Sequence, residues 1–193
     1  MALEFTRIAN EEIELFKKLT NLRVIFDVGS RTDTDYLELV PDAEFHLFEP
    51  NPEIFASLKE KVGERDNVFL NNFGLGDREE TRGYQFGTQA FLGSALVPED
   101  AINDAILPIK TLDWYMREKN ISRIDFLKID TEGYDLKVLL GATNWFHVIK
   151  FIQYEHCGRY NNLMTRGLLS EDFDVLDIGY RNMFCMNKKL VSR

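Results

Sequence analysis

Short apolar runs and amphipathic stretches take turns along this chain. Residues 23–29 hold Val24, Ile25, Phe26 and Val28 in a run that suits a buried strand ending on an acid and a glycine. Residues 44–49 form a second such run and again finish on an acid, Glu49. Residues 68–72 make a third, followed by a Gly74-Leu75-Gly76-Asp77 turn. Residues 124–129 read as the central strand, broken only by Lys128 and ending in Asp130, Thr131, Glu132 and Gly133, where the glycine lets the backbone leave the sheet sharply. Residues 148–156 form a fifth strand with a charged end.

Helical spacing fills the gaps. Ile13, Leu15, Phe16 and Leu19 predict a helix over residues 10–19 with Asn10 as its cap. A weak helix over 35–40 is stopped by Pro41, and Pro52 opens one over 53–62. Thr111 caps a helix over 112–119, and Gly141 stops one that begins at Leu136. Ser170 is expected to cap a further helix to about Ile178. Residues 182–186 and Leu190-Val191, joined across residues 187–189, are expected to close the chain as a hairpin. Between 78 and 109 the rhythm blurs, with Gly83, Gly87, Gly93, Pro98 and Pro108. Two short antiparallel pieces or a loop folding over a substrate both fit there.

Strands alternating with helices imply an α/β fold: a single doubly wound, mostly parallel sheet. The two hairpin strands bring its count to seven and add the antiparallel part. With 193 residues the chain can build one well-buried core, so residues 1–20 are expected as an N-terminal helix packed on a domain spanning 21–193.

At 45% hydrophobic and 12% aromatic the composition is that of a globular protein. No stretch reaches the roughly 20 apolar residues that span a bilayer, and residues 1–10 lack the apolar core of a signal peptide. Cys157 and Cys185 have no metal-ligand spacing, which suggests reduced thiols and a cytoplasmic location without a membrane partner. A formal charge of -9 argues against a nucleic-acid partner. Nothing in the pattern reports an oligomeric state.

In an open α/β sheet, ligands gather at the carboxyl ends of the strands. Lys128, Asp130 and Glu132 stand there, and three charged groups are expensive to desolvate without a purpose. Asp27-Val28-Gly29 together with Glu49 describes a nucleoside site: the glycine lets the backbone approach a ligand, and the acid can accept from both ribose hydroxyls. A dinucleotide would need further glycines for its pyrophosphate, yet Ser30, Arg31, Thr32 and Asp33 fill the loop. An acid before the glycine also repels phosphate. S-adenosylmethionine carries an amino group and no phosphate, so the electrostatics favour it over NAD.

These motifs resemble those of the FkbM-type methyltransferases, and the resemblance runs over residues 24–155. It rests on Phe26-Asp27-Val28-Gly29, Phe48-Glu49-Pro50, Gly74-Leu75-Gly76-Asp77 and Thr111-Leu112-Asp113, and above all on Leu127-Lys128-Ile129-Asp130-Thr131-Glu132-Gly133, with residues 139–142 and Glu155 beyond. The family implies a class I, Rossmann-like methyltransferase that uses S-adenosylmethionine to methylate hydroxyl groups, commonly on sugars and natural products. Carried over by position, Asp27, Gly29 and Ser30 would line the methionine moiety, and Glu49 would hold the ribose with Pro50 and Asn51 beside it. Asn72, Phe73 and Gly74 would flank adenine, and Asp130 would lie near the transferred methyl. The family usually continues Asp-Val-Gly with Ala-Asn and another glycine; here the loop is bulkier and more charged. A cofactor-binding module without turnover is the rival reading that this departure motivates.

A saccharide or small-molecule hydroxyl is a poor nucleophile until its proton is removed. Asp130, Glu132, Glu155 and His156 are the candidates for that step, and Lys128 could pair with these carboxylates or contact the acceptor. A divalent metal held by Asp130 with Glu155 or His156 could lower the hydroxyl pKa instead. His46 and His147 are read as structural.

Overall fold

The computed structural model describes residues 11–32, 35–85, 95–97, 105–156, 159–179 and 181–191. The elements begin with α1 (Glu11–Phe16), β1 (Val24–Val28), α2 (Asp35–Leu39), β2 (Glu44–Phe48), α3 (Pro52–Val62) and β3 (Val68–Asn71). Next come β4 (Gly74–Gly76), β5 (Glu80–Gln85), β6 (Ala95–Val97), β7 (Ala105–Thr111) and α4 (Leu112–Glu118). The chain continues through β8 (Ile124–Ile129), α5 (Asp135–Leu140), a 3-10 turn (Thr143–Val148), β9 (Ile149–Glu155), α6 (Arg159–Leu169), β10 (Phe173–Gly179) and β11 (Asn182–Asn187).

The main sheet has seven strands in the order β10-β11-β9-β8-β1-β2-β3. The five strands from β9 to β3 pair in parallel, while β11 and β10 pair antiparallel. This is the doubly wound, mostly parallel α/β sheet with an antiparallel end that the pattern implied. Its central strand is buried along its whole length, as expected of a strand covered on both faces. Phe126 packs against Phe16 and Tyr36 on the side of α1 and α2. Leu127 and Ile129 join Tyr115, Met116 and Val138 on the opposite side. Order reverses between β1 and β8, so their carboxyl ends leave a crevice between crossovers that depart in opposite directions.

Local chemistry explains several boundaries. Asn51 Oδ1 accepts from the Glu53 and Ile54 amides at 2.9 and 3.2 Å, capping α3. Thr111 Oγ1 accepts from the Trp114 amide at 2.9 Å and starts α4. Asp125 is buried because it accepts from the Arg23 and Val24 amides and pairs with Arg123. His46, structural as expected, bridges Tyr115 and Glu44 at 2.8 Å each.

Five expectations are corrected. Gly74, Leu75 and Gly76 form a strand and not a turn, pairing in parallel with β7. The fold is therefore not a single sheet: β4, β7, β5 and β6 make a second one, with β5 antiparallel to both β6 and β7. Glycine suits β4 because a Cβ at Gly74 or Gly76 would stand 2.7 or 2.9 Å from Ile109. Of the two options for residues 78–109, antiparallel pieces are found; residues 86–94 and 98–104 lie outside the described residues.

The helix expected after Ser170 is strand β10. Ser170 instead donates to the Gly167 carbonyl at 2.9 Å and closes α6, a helix the pattern did not announce. The final hairpin is β10 with β11, and not one across 187–189. Asn187 ends β11 by donating to the Phe146 and Ile149 carbonyls and accepting from the Lys189 and Leu190 amides. The first helix is shorter than expected, and its proposed cap Asn10 lies outside the described residues.

Candidate active site

Gly29 follows β1 with φ +83°, and a Cβ there would stand 1.9 Å from the Asp130 carbonyl oxygen. The Asp130 amide donates to the Val28 carbonyl at 2.9 Å, so the ends of β1 and β8 are drawn together at this point. The glycine is thus required by the close approach of a neighbouring strand. Ser30 is buried, donates to the Asp27 carbonyl at 2.7 Å and accepts from the Phe48 amide at 3.1 Å. The Phe48 carbonyl in turn accepts from the Gly29 and Ser30 amides. The bulky loop residue therefore bolts β1 to β2.

Glu49 sits at the end of β2 and is almost fully buried. Its two oxygens accept from the Arg31 amide at 3.0 Å and the Asn51 amide at 2.8 Å. Burial raises its pKa, against the pull of those two amides. Each oxygen keeps a lone pair for a hydroxyl donor. Asn72 donates to the Glu49 and Pro50 carbonyls at 2.9 and 3.1 Å, tying the end of β3 to the same loop. Phe73 lies edge-on to Phe48 and Trp114, and Gly74 approaches Pro50. The residues expected around ribose and adenine are contiguous in space, although Asn51 spends its side chain on capping α3.

Asp27 and Lys128 face each other across β1 and β8, with Lys128 Nζ 3.2 Å from Asp27 Oδ1 and 3.9 Å from Asp130 Oδ2. The lysine is buried. Gln153, next to Lys128 in register on β9, donates to Tyr36 Oη at 3.3 Å and to Glu12 of α1 at 2.8 Å. A polar row thus crosses three strands beneath α1 and α2.

Beyond this row, Asp130, Glu132 and Glu155 each present an oxygen within 4.8 Å of the others. Glu132 occupies left-handed backbone at φ +53° in the turn after β8, and Gly133 follows at φ +110°. Asp135 fixes that turn by accepting from the Thr131 and Gly133 amides at 3.4 and 3.1 Å. Burial pushes Asp135 up to about 6 despite these bonds. Glu155 ends β9 and pairs with Arg181 at 2.5 Å. Burial and the Asp130 charge push Glu155 up to about 7, with Arg181 pulling the other way. His156 donates its amide to the Arg181 carbonyl at 3.0 Å, while its Nδ1 is buried without a hydrogen-bond partner.

Among the described residues, the acidic group that could hold a cation is Asp130, Glu132 and Glu155, an all-oxygen set that suits a hard ion such as magnesium or manganese. His156 is not part of it. Sequence reasoning missed Arg181 and Asp135. Asp135 was visible as an acid next to the turn; Arg181 carried no signal, because its partner lies on a different strand.

Residues 27–177 match the model of the methyltransferase FkbM domain. The chain is 28% identical over 152 residues to the hexuronic acid methyltransferase AglP of Haloferax volcanii, covering 77% of this chain and 62% of that protein. It is 26% identical over 152 residues to the 2-O-methyltransferase NoeI of Sinorhizobium fredii, covering 69% of this chain and 63% of that one. It therefore spans less than two thirds of the length of these curated relatives. The METTL16 methyltransferase domain superposes with a TM-score of 0.56 at 11% identity, covering 91% of this chain and 66% of that one. That likeness places the fold with the class I methyltransferases.

Proposed function

The chain belongs to the FkbM methyltransferase family, and on that premise we propose that it methylates a saccharide hydroxyl with S-adenosylmethionine. The observation that carries this reading is the charge at the strand ends. Among the described residues, the carboxylates of Asp27, Glu49, Asp130, Glu132 and Glu155 gather at these strand ends against fewer cations, Lys128, Arg181 and, near Glu49, Arg31. A sulfonium and an ammonium are attracted there, whereas pyrophosphate would meet like charge. The saccharide acceptor is supported by the hexuronic acid and 2-O-methyl activities named for the two relatives.

S-adenosylmethionine supplies an electrophilic methyl carbon. The chain's own residues bind it and take a proton. Asp27, Gly29 and Ser30 form the floor for the methionine part, with Lys128 fixing the Asp27 carboxylate. Glu49, held by two amides, offers its free lone pairs to the ribose, and Asn72, Phe73 and Gly74 border the base. Asp130, at the switch point, receives the acceptor hydroxyl, and its carboxylate partner Glu155 shares the proton that leaves. Alignment of hydroxyl and methyl supplies much of the acceleration, and proton removal supplies about 100-fold or more.

Calorimetric titration with S-adenosylmethionine, S-adenosylhomocysteine and NAD tests the cofactor. Binding of the first two and not of NAD is expected; the reverse overturns the proposal. Transfer of labelled methyl to a panel of uronic acid glycosides and neutral hexosides tests the acceptor. Binding without transfer to any of them favours the module that retains the cofactor and lacks turnover.

A further inference from the structure

The last hairpin enters the site through one side chain. Arg181 lies in the turn between β10 and β11 with φ +68°, a conformation that L side chains disfavour and that glycine or asparagine would occupy more readily. The turn is fixed from several sides. Gly179 donates its amide to Asp177 at 2.9 Å, the Arg181 carbonyl accepts from His156, and Asn182 pairs in register with Glu155 and donates to Glu12. The guanidinium so placed ends 2.5 Å from Glu155, whose side chain is 12% exposed while that of Arg181 is 48% exposed. An arginine held in unfavourable backbone by this many contacts, with its head on a site carboxylate, points to a task there.

That task follows from the charges around Glu155. Asp130 and Glu132 face it from the turn after β8, His156 follows it just beyond β9, and Arg181 meets it from the hairpin. The other nearby cation, Lys128, is engaged by Asp27 and Asp130. Without Arg181, the Glu155 carboxylate would be turned by repulsion from two acids whose oxygens lie within 4.8 Å.

We propose that Arg181 is a positioning residue for methyl transfer, holding the Glu155 carboxylate against Asp130 so that it takes the acceptor proton. The inference rests on the methyltransferase reading above. In the step, the acceptor oxygen bonds to the methyl carbon and the carbon–sulfur pair returns to sulfur, leaving a neutral thioether. The hydroxyl proton passes to Glu155.

The test compares wild type with Arg181→Gln, Arg181→Ala, Arg181→Lys and Glu155→Gln, using labelled S-adenosylmethionine and the uronic acid and hexoside panel. Expected for Arg181→Gln and Arg181→Ala is a fall in kcat of about tenfold or more, part of the loss of a general base. Cofactor Kd and acceptor KM should change by no more than about twofold, since neither ligand's contacts depend on the guanidinium. Arg181→Lys should recover much of the rate, and guanidinium chloride at millimolar concentration should partly restore Arg181→Ala but not Glu155→Gln. Wild-type kcat in a folded Arg181→Gln protein overturns the inference. So does a loss that appears in melting temperature and cofactor Kd and is relieved by neither lysine nor guanidinium. Failure of the wild type itself to methylate any of the panel overturns the reaction, and the inference with it, and is told apart by arising before any substitution.

Discussion

Lys128 is wedged between Asp27 and Asp130, 3.2 Å from the first and 3.9 Å from the second, on a strand buried from end to end. Burial alone would lower its pKa, but Asp27, Asp130 and the Tyr36 hydroxyl hold it above the ordinary lysine value. Of the two roles read from sequence, pairing with the site carboxylates or contact with the acceptor, the geometry agrees with the first: Lys128 lies against two acids at adjacent strand ends.

Lys128→Met should therefore remove the cation beside the buried Asp27 carboxylate. A loss of stability on the order of 3–5 kcal/mol is expected, the scale for breaking a buried pair from one side. Urea unfolding of Lys128→Met and of Lys128→Met with Asp27→Leu checks it. The double variant should recover part of the loss, and a single variant as stable as wild type refutes the pairing.

Glu49→Ala should weaken S-adenosylmethionine binding by roughly 1.5–3 kcal/mol, the scale of hydrogen bonds to a charged group. It should also lower stability by about 1–3 kcal/mol, because the Arg31 and Asn51 amides lose their acceptor. Calorimetry and thermal melts separate the two effects. Glu49 leaves the cofactor site if affinity is unchanged in a folded variant.

Asp130→Asn keeps shape and removes charge. Turnover should fall by roughly 100-fold or more, with a much smaller change in cofactor affinity. Near-normal turnover removes Asp130 from the chemistry. Treating wild type with EDTA then decides how the carboxylates act. Loss restored by magnesium or manganese assigns Asp130, Glu132 and Glu155 to a hard cation; indifference assigns them to direct proton removal.

The raised carboxyls give opposite pH trends for activity and stability. Glu155 at about 7 must be ionised to accept a proton, so kcat/KM should rise through pH 7 and level off above it. For stability, Glu155 and Asp135 bind protons more tightly folded than unfolded, where they titrate near 4.5 and 3.8. Their contribution is greatest below those values and declines as pH rises, until Asp135 passes about 6 and Glu155 about 7. Melting temperature should accordingly be higher at pH 5 than at pH 8 in wild type. Glu155→Gln should flatten that trend.

The strand ends were legible because β1, β2, β8 and β9 are covered on both faces and read as nearly unbroken apolar runs. Their polar ends then stand out. The carboxyl-terminal third was not legible for the opposite reason. In α6 the apolar residues Tyr160, Leu163 and Met164 are exposed and only Thr165 and Leu169 are buried, so its pattern does not report the core, and β10 is an edge strand whose middle is half exposed. Asp174 and Asp177 break up its apolar run, and Ser170 before it suggested a helix cap. Strand β4 was hidden by its glycines, which look like a turn until the Ile109 side chain is seen to need their space. The Glu155–Arg181 pair depends on β11 lying beside β9, which spacing alone does not state.

That placement of β11 bears on biosynthesis. Strand β11 slots between β9 and β10, both of which leave the ribosome before it. Until residues 182–187 emerge, β9 presents an unpaired apolar edge, the kind of surface that joins wrong partners. Arg181 arrives on the same segment, so the nascent chain closes its sheet and brings the guanidinium to Glu155 in one event. Stop codons or proteolytic cuts just before β11 should give insoluble protein in place of a soluble, inactive one.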